Sequence, residues 1–157
     1  MSERFAVARA DSLPEGGRLI VDVNGRSIGI FRVRGRLYAL LNRCPHEGAE
    51  LCRGTLVGRL EADRPGEYRH DPSRPLLACP WHGWEFDLAT GQSYFDPART
   101  RVRPYPVSVE RGEQVAREVD DGCAALAGAL RPGPYRVETV PISVEDEYLV
   151  VSLRPAR

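Results

Sequence analysis

Apolar and polar positions alternate in short runs through most of the chain, bounded by glycine, asparagine and proline, which is the pattern of strands and tight turns. Residues 5–10 (Phe5 to Ala10) predict a first strand that ends at Asp11-Ser12-Leu13-Pro14. Arg18 to Val23 and Ser27 to Val33 are rich in β-branched residues and are joined by Asn24-Gly25, a two-residue hairpin signal. Arg34-Gly35 predicts a second turn into Leu37 to Asn42, completing a three-stranded meander. Residues 47–54 read as a turn-rich loop, and 58–75 as a solvated excursion, with a hairpin as one form of it. That stretch carries Arg59, Glu61, Asp63, Arg64, Glu67, Arg69, Asp71 and Arg74 among its prolines. Short strands follow at Leu76 to Ala78, Glu85 to Asp87, Gln92 to Phe95 and Val102 to Glu110. Helical character is confined to about residues 120–130, and a last hairpin is expected from Val140 to Val144 and Tyr148 to Leu153. The fold class predicted is all-β, a small antiparallel sandwich with one short helix.

The chain has 157 residues, 42% of them hydrophobic, which suffices for a single domain over residues 1–157 with its own core. Within it, 58–75 reads as an insertion and about 116–157 as a C-terminal extension. Pro106-Val107-Ser108-Val109-Glu110 is echoed by Pro141-Ile142-Ser143-Val144-Glu145, but two units make no repeat array. Formal net charge is zero, so neither bulk nucleic-acid binding nor attraction to acidic membranes is indicated. All 22 basic residues are Arg, a bias that genome composition explains. No apolar run approaches the roughly 18 to 20 residues that span a bilayer. The opening residues Met1-Ser2-Glu3-Arg4-Phe5 lack a secretory profile. A soluble, cytoplasmic protein is expected, in which thiols stay reduced and a cysteine cluster reads as metal binding.

The candidate chemistry lies in two short loops, Cys44-Pro45-His46 and Cys79-Pro80-Trp81-His82. They hold two of the four cysteines and two of the three histidines. If the loops meet they offer two thiolates and two imidazoles. Zinc accepts that donor set, though its common fingers pair Cys with Cys and His with His. Here each loop is mixed, which suits a two-iron, two-sulfide cluster with sulfur on one iron and nitrogen on the other.

Cys44-x-His46 and Cys79-x-x-His82-Gly83, with Trp84-Glu85-Phe86-Asp87, Thr90-Gly91 and Asp96-Pro97-Ala98 behind them, resemble the Rieske iron–sulfur proteins over most of residues 1–115. The resemblance implies one [2Fe-2S] cluster per chain in a small cluster-binding subdomain, with Cys44, His46, Cys79 and His82 as ligands. It further implies that the thiolates hold an inner iron that stays ferric, and that the imidazoles bind the outer, electron-accepting iron through their inner nitrogens. Two imidazoles in place of thiolates place the potential at about −150 to +300 mV, against about −400 mV for a plant-type cluster. The respiratory branch has a cysteine inside each box and hydroxyl donors after the second. Here Trp81, Trp84 and Phe86 stand there, which points to the ferredoxin and oxygenase branch and to the lower part of that range.

The resemblance implies a soluble one-electron carrier between a reductase and an oxygenase-type acceptor, docking near His46 and His82. A second reading is the non-catalytic Rieske subunit of a larger complex, like a nitrite reductase small subunit; a remote third is a zinc-stapled binding module. A complete oxygenase would also need two histidines and a carboxylate for mononuclear iron, and only His70 is left over. Pro45 and Pro80 are expected to stiffen the loops, and Gly48 and Gly83 to let N–H groups approach the sulfides. Trp81 and Trp84 are expected to shield the cluster from water. His70 reads as a solvated side chain, and Cys52 and Cys123 as reduced thiols, Cys123 packing in the helix. Glu47, Glu50, Glu85 and Asp87 could steer a basic partner, a field that Arg53 dilutes.

Overall fold

The computed structural model describes residues 3–115 and 146–153. The strands in chain order are β1 (Glu3–Arg9), β2 (Arg18–Val23), β3 (Arg26–Val33), β4 (Arg36–Leu41), β5 (Thr55–Arg64), β6 (Glu67–Ala78), β7 (Glu85–Asp87), β8 (Pro104–Tyr105), β9 (Val107–Arg111) and β10 (Glu147–Leu153). They form three antiparallel sheets, ordered β1-β10-β9, β2-β3-β4-β8 and β5-β6-β7.

The meander forms as the alternation predicts. Asn24 turns with φ 52°, and the Asp22 carboxylate accepts the Gly25 N–H at 3.1 Å. At the second turn Arg34 also adopts φ 52°, an uncommon value for a long side chain. The Glu15 carboxylate compensates by accepting the N–H groups of Arg34 and Gly35.

The meander sheet is the middle layer. Ile28 and Ile30 pack with Leu149, Val151 and Leu153 of β10 on one side. Phe31 and Leu40 face Leu77 and Phe86 of the third sheet on the other, in a core that also contains Cys44 and Cys79. Coverage on both faces explains why Ile28 through Phe31 are all buried, where a half-exposed strand would alternate. Each such large apolar side chain contributes about 1.5–3 kcal/mol on burial.

The charged stretch between the two loops is a paired hairpin. β5 and β6 run in register from Thr55↔Ala78 at the base to Arg64↔Glu67 at the tip, shifting between Gly58 and Arg59 and between Ala62 and Arg64. Its base is apolar and packed, with Leu76 and Leu77 buried and Leu56 half-buried, while Leu60 and Tyr68 near the tip are exposed. The strand expected from Gln92 to Phe95 reduces to single bridges, Phe86↔Ser93 and Gln92↔Arg101. The strand expected over 102–110 breaks at Pro106 into β8 and β9. The helix expected at about 120–130 and the strand at 140–144 lie outside the described residues. β10 is laddered on both of its edges, by β1 and β9. Among the described residues no helix is long and apolar enough to cross a membrane.

Candidate metal centre

The two cysteine loops share one backbone frame. In the first, the Cys44 N–H donates to the Ala49 carbonyl and the Gly48 N–H to the Cys44 carbonyl, each at 2.8 Å. In the second, the Cys79 N–H donates to the Trp84 carbonyl at 2.8 Å and the Gly83 N–H to the Cys79 carbonyl at 2.9 Å. Each loop is thus a closed turn with cysteine at its start and a left-handed glycine near its end, Gly48 at φ 82° and Gly83 at φ 71°. That conformation is what requires glycine here. Their own N–H groups are bonded to the cysteine carbonyls and close the turns. The N–H groups directed at the Cys44 sulfur are those of His46 and Glu47.

The hairpin base sets the loops side by side. Cys79 follows directly from β6, whose Ala78 pairs with Thr55 just after the first loop. Backbones come so close there that a Cβ on Gly54 would sit 1.8 Å from the Ala78 carbonyl oxygen. Asn42 anchors the other flank. Its side chain accepts the Cys52 N–H at 2.7 Å and donates to the Ser27 hydroxyl at 3.1 Å, tying the end of β4 to the turn Leu51–Arg53.

The four predicted residues come together as two pairs. Cys44 and Cys79 are free thiols, 1% and 3% exposed. They face one another, and burial, reinforced by the Cys79 thiol, pushes the Cys44 thiol up from its ordinary value. Above them His46 and His82 are exposed, with ring centroids 4.8 Å apart at 75°. The donor atoms of His46, His82 and Glu47 lie within 4.8 Å of one another, and the cysteine sulfurs are not in that group. A closed tetrahedral zinc site would place all four donors around one point. A buried sulfur pair and a separate, outward nitrogen pair suit two metal ions instead, and buried thiols gain most by exchanging protons for a metal.

Other residues take places that composition alone does not show. Trp84 stacks on His46 and is half-buried. Trp81 is 61% exposed and meets His82 only edge-on, with centroids 6.5 Å apart. Glu47 reaches His82, carboxylate to Nε2 at 3.5 Å, and Glu50 pairs with Arg53 at 2.8 Å. Asp87 is buried and accepts the N–H groups of Ala89 and Thr90, so it builds a turn. His70 is exposed on β6, its ring lying over Gly58 across the hairpin. Cys52 is a free, fully buried thiol whose burial pushes it up to about 12, and it packs where Gly29 leaves room. Cys123 lies outside the described residues.

A three-sheet β protein with two cysteine–histidine turns over a shared core defines an iron–sulfur carrier class. The Rieske [2Fe-2S] domain model matches residues 3–106, and the chain belongs to that family, with a Rieske-type [2Fe-2S] cluster as its cofactor. The chain is 32% identical over 116 residues to the ferredoxin component of a naphthalene 1,2-dioxygenase system of Pseudomonas aeruginosa, covering 73% of this chain and 95% of that one. Among solved structures, the ferredoxin of carbazole 1,9a-dioxygenase from Nocardioides aromaticivorans IC177 is 29% identical, with a TM-score of 0.51 over 68% of this chain and 89% of that one. A candidate NADH-dependent nitrite reductase small subunit from Mycobacterium tuberculosis shares the fold over 99% of both chains, at a TM-score of 0.59 and 21% identity.

Proposed function

We propose that the chain is the one-electron ferredoxin of a cytoplasmic oxygenase system, taking electrons from a reductase and delivering them to an oxygenase-type acceptor. Cys44 and Cys79 hold the inner iron of the cluster, and His46 and His82 hold the outer one. The observation that carries this reading is the separation of the site into a buried thiol pair and an exposed imidazole pair. When bound, the cluster takes up and releases a single electron at the histidine-ligated iron. The chain's own part is positional. Two closed turns hold the thiols in a dry core, and the same turns leave the imidazoles at the surface, where a partner can approach. Neither Trp84 nor the buried Phe86 carries a hydroxyl, so the cluster receives fewer hydrogen bonds and its charge is less compensated.

A potentiometric titration tests this. One electron per chain is expected, with a midpoint in the lower part of the range of about −150 to +300 mV. A midpoint above about +100 mV contradicts the step that rests on absent hydroxyl donors. A colourless protein with one zinc per chain contradicts the whole reading.

A further inference from the structure

We propose that Trp84 is a positioning residue for His46: its indole fixes the plane of that imidazole and makes the two histidine arms of the centre unequal. The inference rests on His46 being a ligand. The His46 ring lies flat on the indole, with centroids 4.0 Å apart and 10° between the planes. Behind the indole stands Phe95, at 4.5 Å and 33°, and Phe95 is 73% exposed. The stack therefore runs from the imidazole outward to solvent.

Trp84 is well placed for this work because it belongs to both loops. Its backbone closes the second loop by accepting the Cys79 N–H, and its side chain packs on the core that contains both cysteines. Its free face then meets the histidine of the first loop. Among the described residues no ring stacks on His82. Its neighbours are the His46 ring edge-on, Trp81 edge-on and the Glu47 carboxylate. The torsion that turns an imidazole about its own axis is broad. A ring held only at its metal bond rocks, whereas a ring lying on a fixed indole does not.

The test uses the cluster-loaded protein and three variants, Trp84→Phe, Trp84→Leu and Phe95→Ala, read by resonance Raman of the iron–imidazole modes and by the rate of cluster loss to a chelator. In Trp84→Leu, one of the two iron–imidazole modes should broaden and shift while the other stays in place. Cluster loss should accelerate about 2- to 12-fold, the factor that one aromatic pair is worth. Trp84→Phe keeps a stacking ring and should restore most of both readouts. Phe95→Ala, at an exposed position, should move the same mode in the same direction by less. Unchanged modes in Trp84→Leu overturn the inference, as do both modes moving together or Trp84→Phe behaving like Trp84→Leu. If Trp84→Leu assembles no cluster, Phe95→Ala decides, and an unmoved mode there overturns it. A wild-type spectrum without two iron–imidazole modes instead overturns the ligand assignment beneath it.

Discussion

The two cysteine loops carry the same backbone frame and different side-chain surroundings. In both, the cysteine N–H and carbonyl are tied across the turn and a left-handed glycine closes it. The histidine nevertheless comes two residues after Cys44 and three after Cys79. Its neighbours differ too, a stacked indole for His46 and a carboxylate for His82. The comparison separates two tasks. Backbone hydrogen bonds place the sulfurs, which must be matched and dry, while local side-chain packing places the imidazoles, which sit at the surface and need not be alike.

The most damaging change to this frame is loss of a thiol. Cys44→Ala and Cys79→Ala should each abolish cluster assembly equally, seen as loss of visible absorption and of bound iron. An intact cluster in either variant would remove that cysteine from the ligand set. Next comes the point where the loops are held together. Gly54→Ala drives a Cβ into the Ala78 carbonyl and should cost about 3 kcal/mol or more, measured by urea unfolding. The loop glycines follow. Gly48→Ala and Gly83→Ala should each cost about 1–2 kcal/mol, the penalty of a left-handed L-residue. The two should cost alike, because a Cβ at Gly48 would make only ordinary contact with the mobile Arg43 guanidinium and one at Gly83 would meet nothing within 4 Å. A difference between the two beyond about 2 kcal/mol would break the equivalence of the frames.

The smallest effect concerns a cysteine outside both loops. Burial holds the Cys52 thiol up at about 12, so it should resist Ellman's reagent in the folded protein at pH 8. Because its folded value lies above its unfolded one, the stability it contributes is complete below about pH 8.5. That contribution then declines as pH rises toward 12. Cys52→Ala should flatten the alkaline fall of stability over that window, and an unchanged slope would show that the thiol is hydrated.

Much of this architecture is legible in the sequence because the signals are local. Asn24-Gly25 between β-branched runs specifies a hairpin, and cysteine, proline and histidine in each box mark the two turns that the fold brings together as a candidate metal centre. What escapes reading depends on partners distant in the chain. Residues 58–75 read as a solvated excursion with a hairpin as one form of it, and their backbones do pair as β5 and β6; what composition hides is that the flanking apolar base, Leu56 and Leu77, joins the core. Gly48 and Gly83 are recognisable as special, yet a sequence cannot tell a backbone angle from a close approach. Trp81 and Trp84 are chemically identical, and only the turn of the second loop sends one to His46 and the other to solvent. Asn42 gives no signal at all, since its role is defined by Cys52 and Ser27 arriving beside it.

The most direct test of the central claim is pulsed EPR on the reduced protein grown with ¹⁵N-labelled histidine. Two strongly coupled, iron-bound histidine nitrogens are predicted in the wild type, one remaining in any cluster that forms in His46→Cys or His82→Cys, and two unchanged in His70→Ala. No strong histidine coupling in the wild type, or two strong couplings still present after either ligand substitution, would contradict the account.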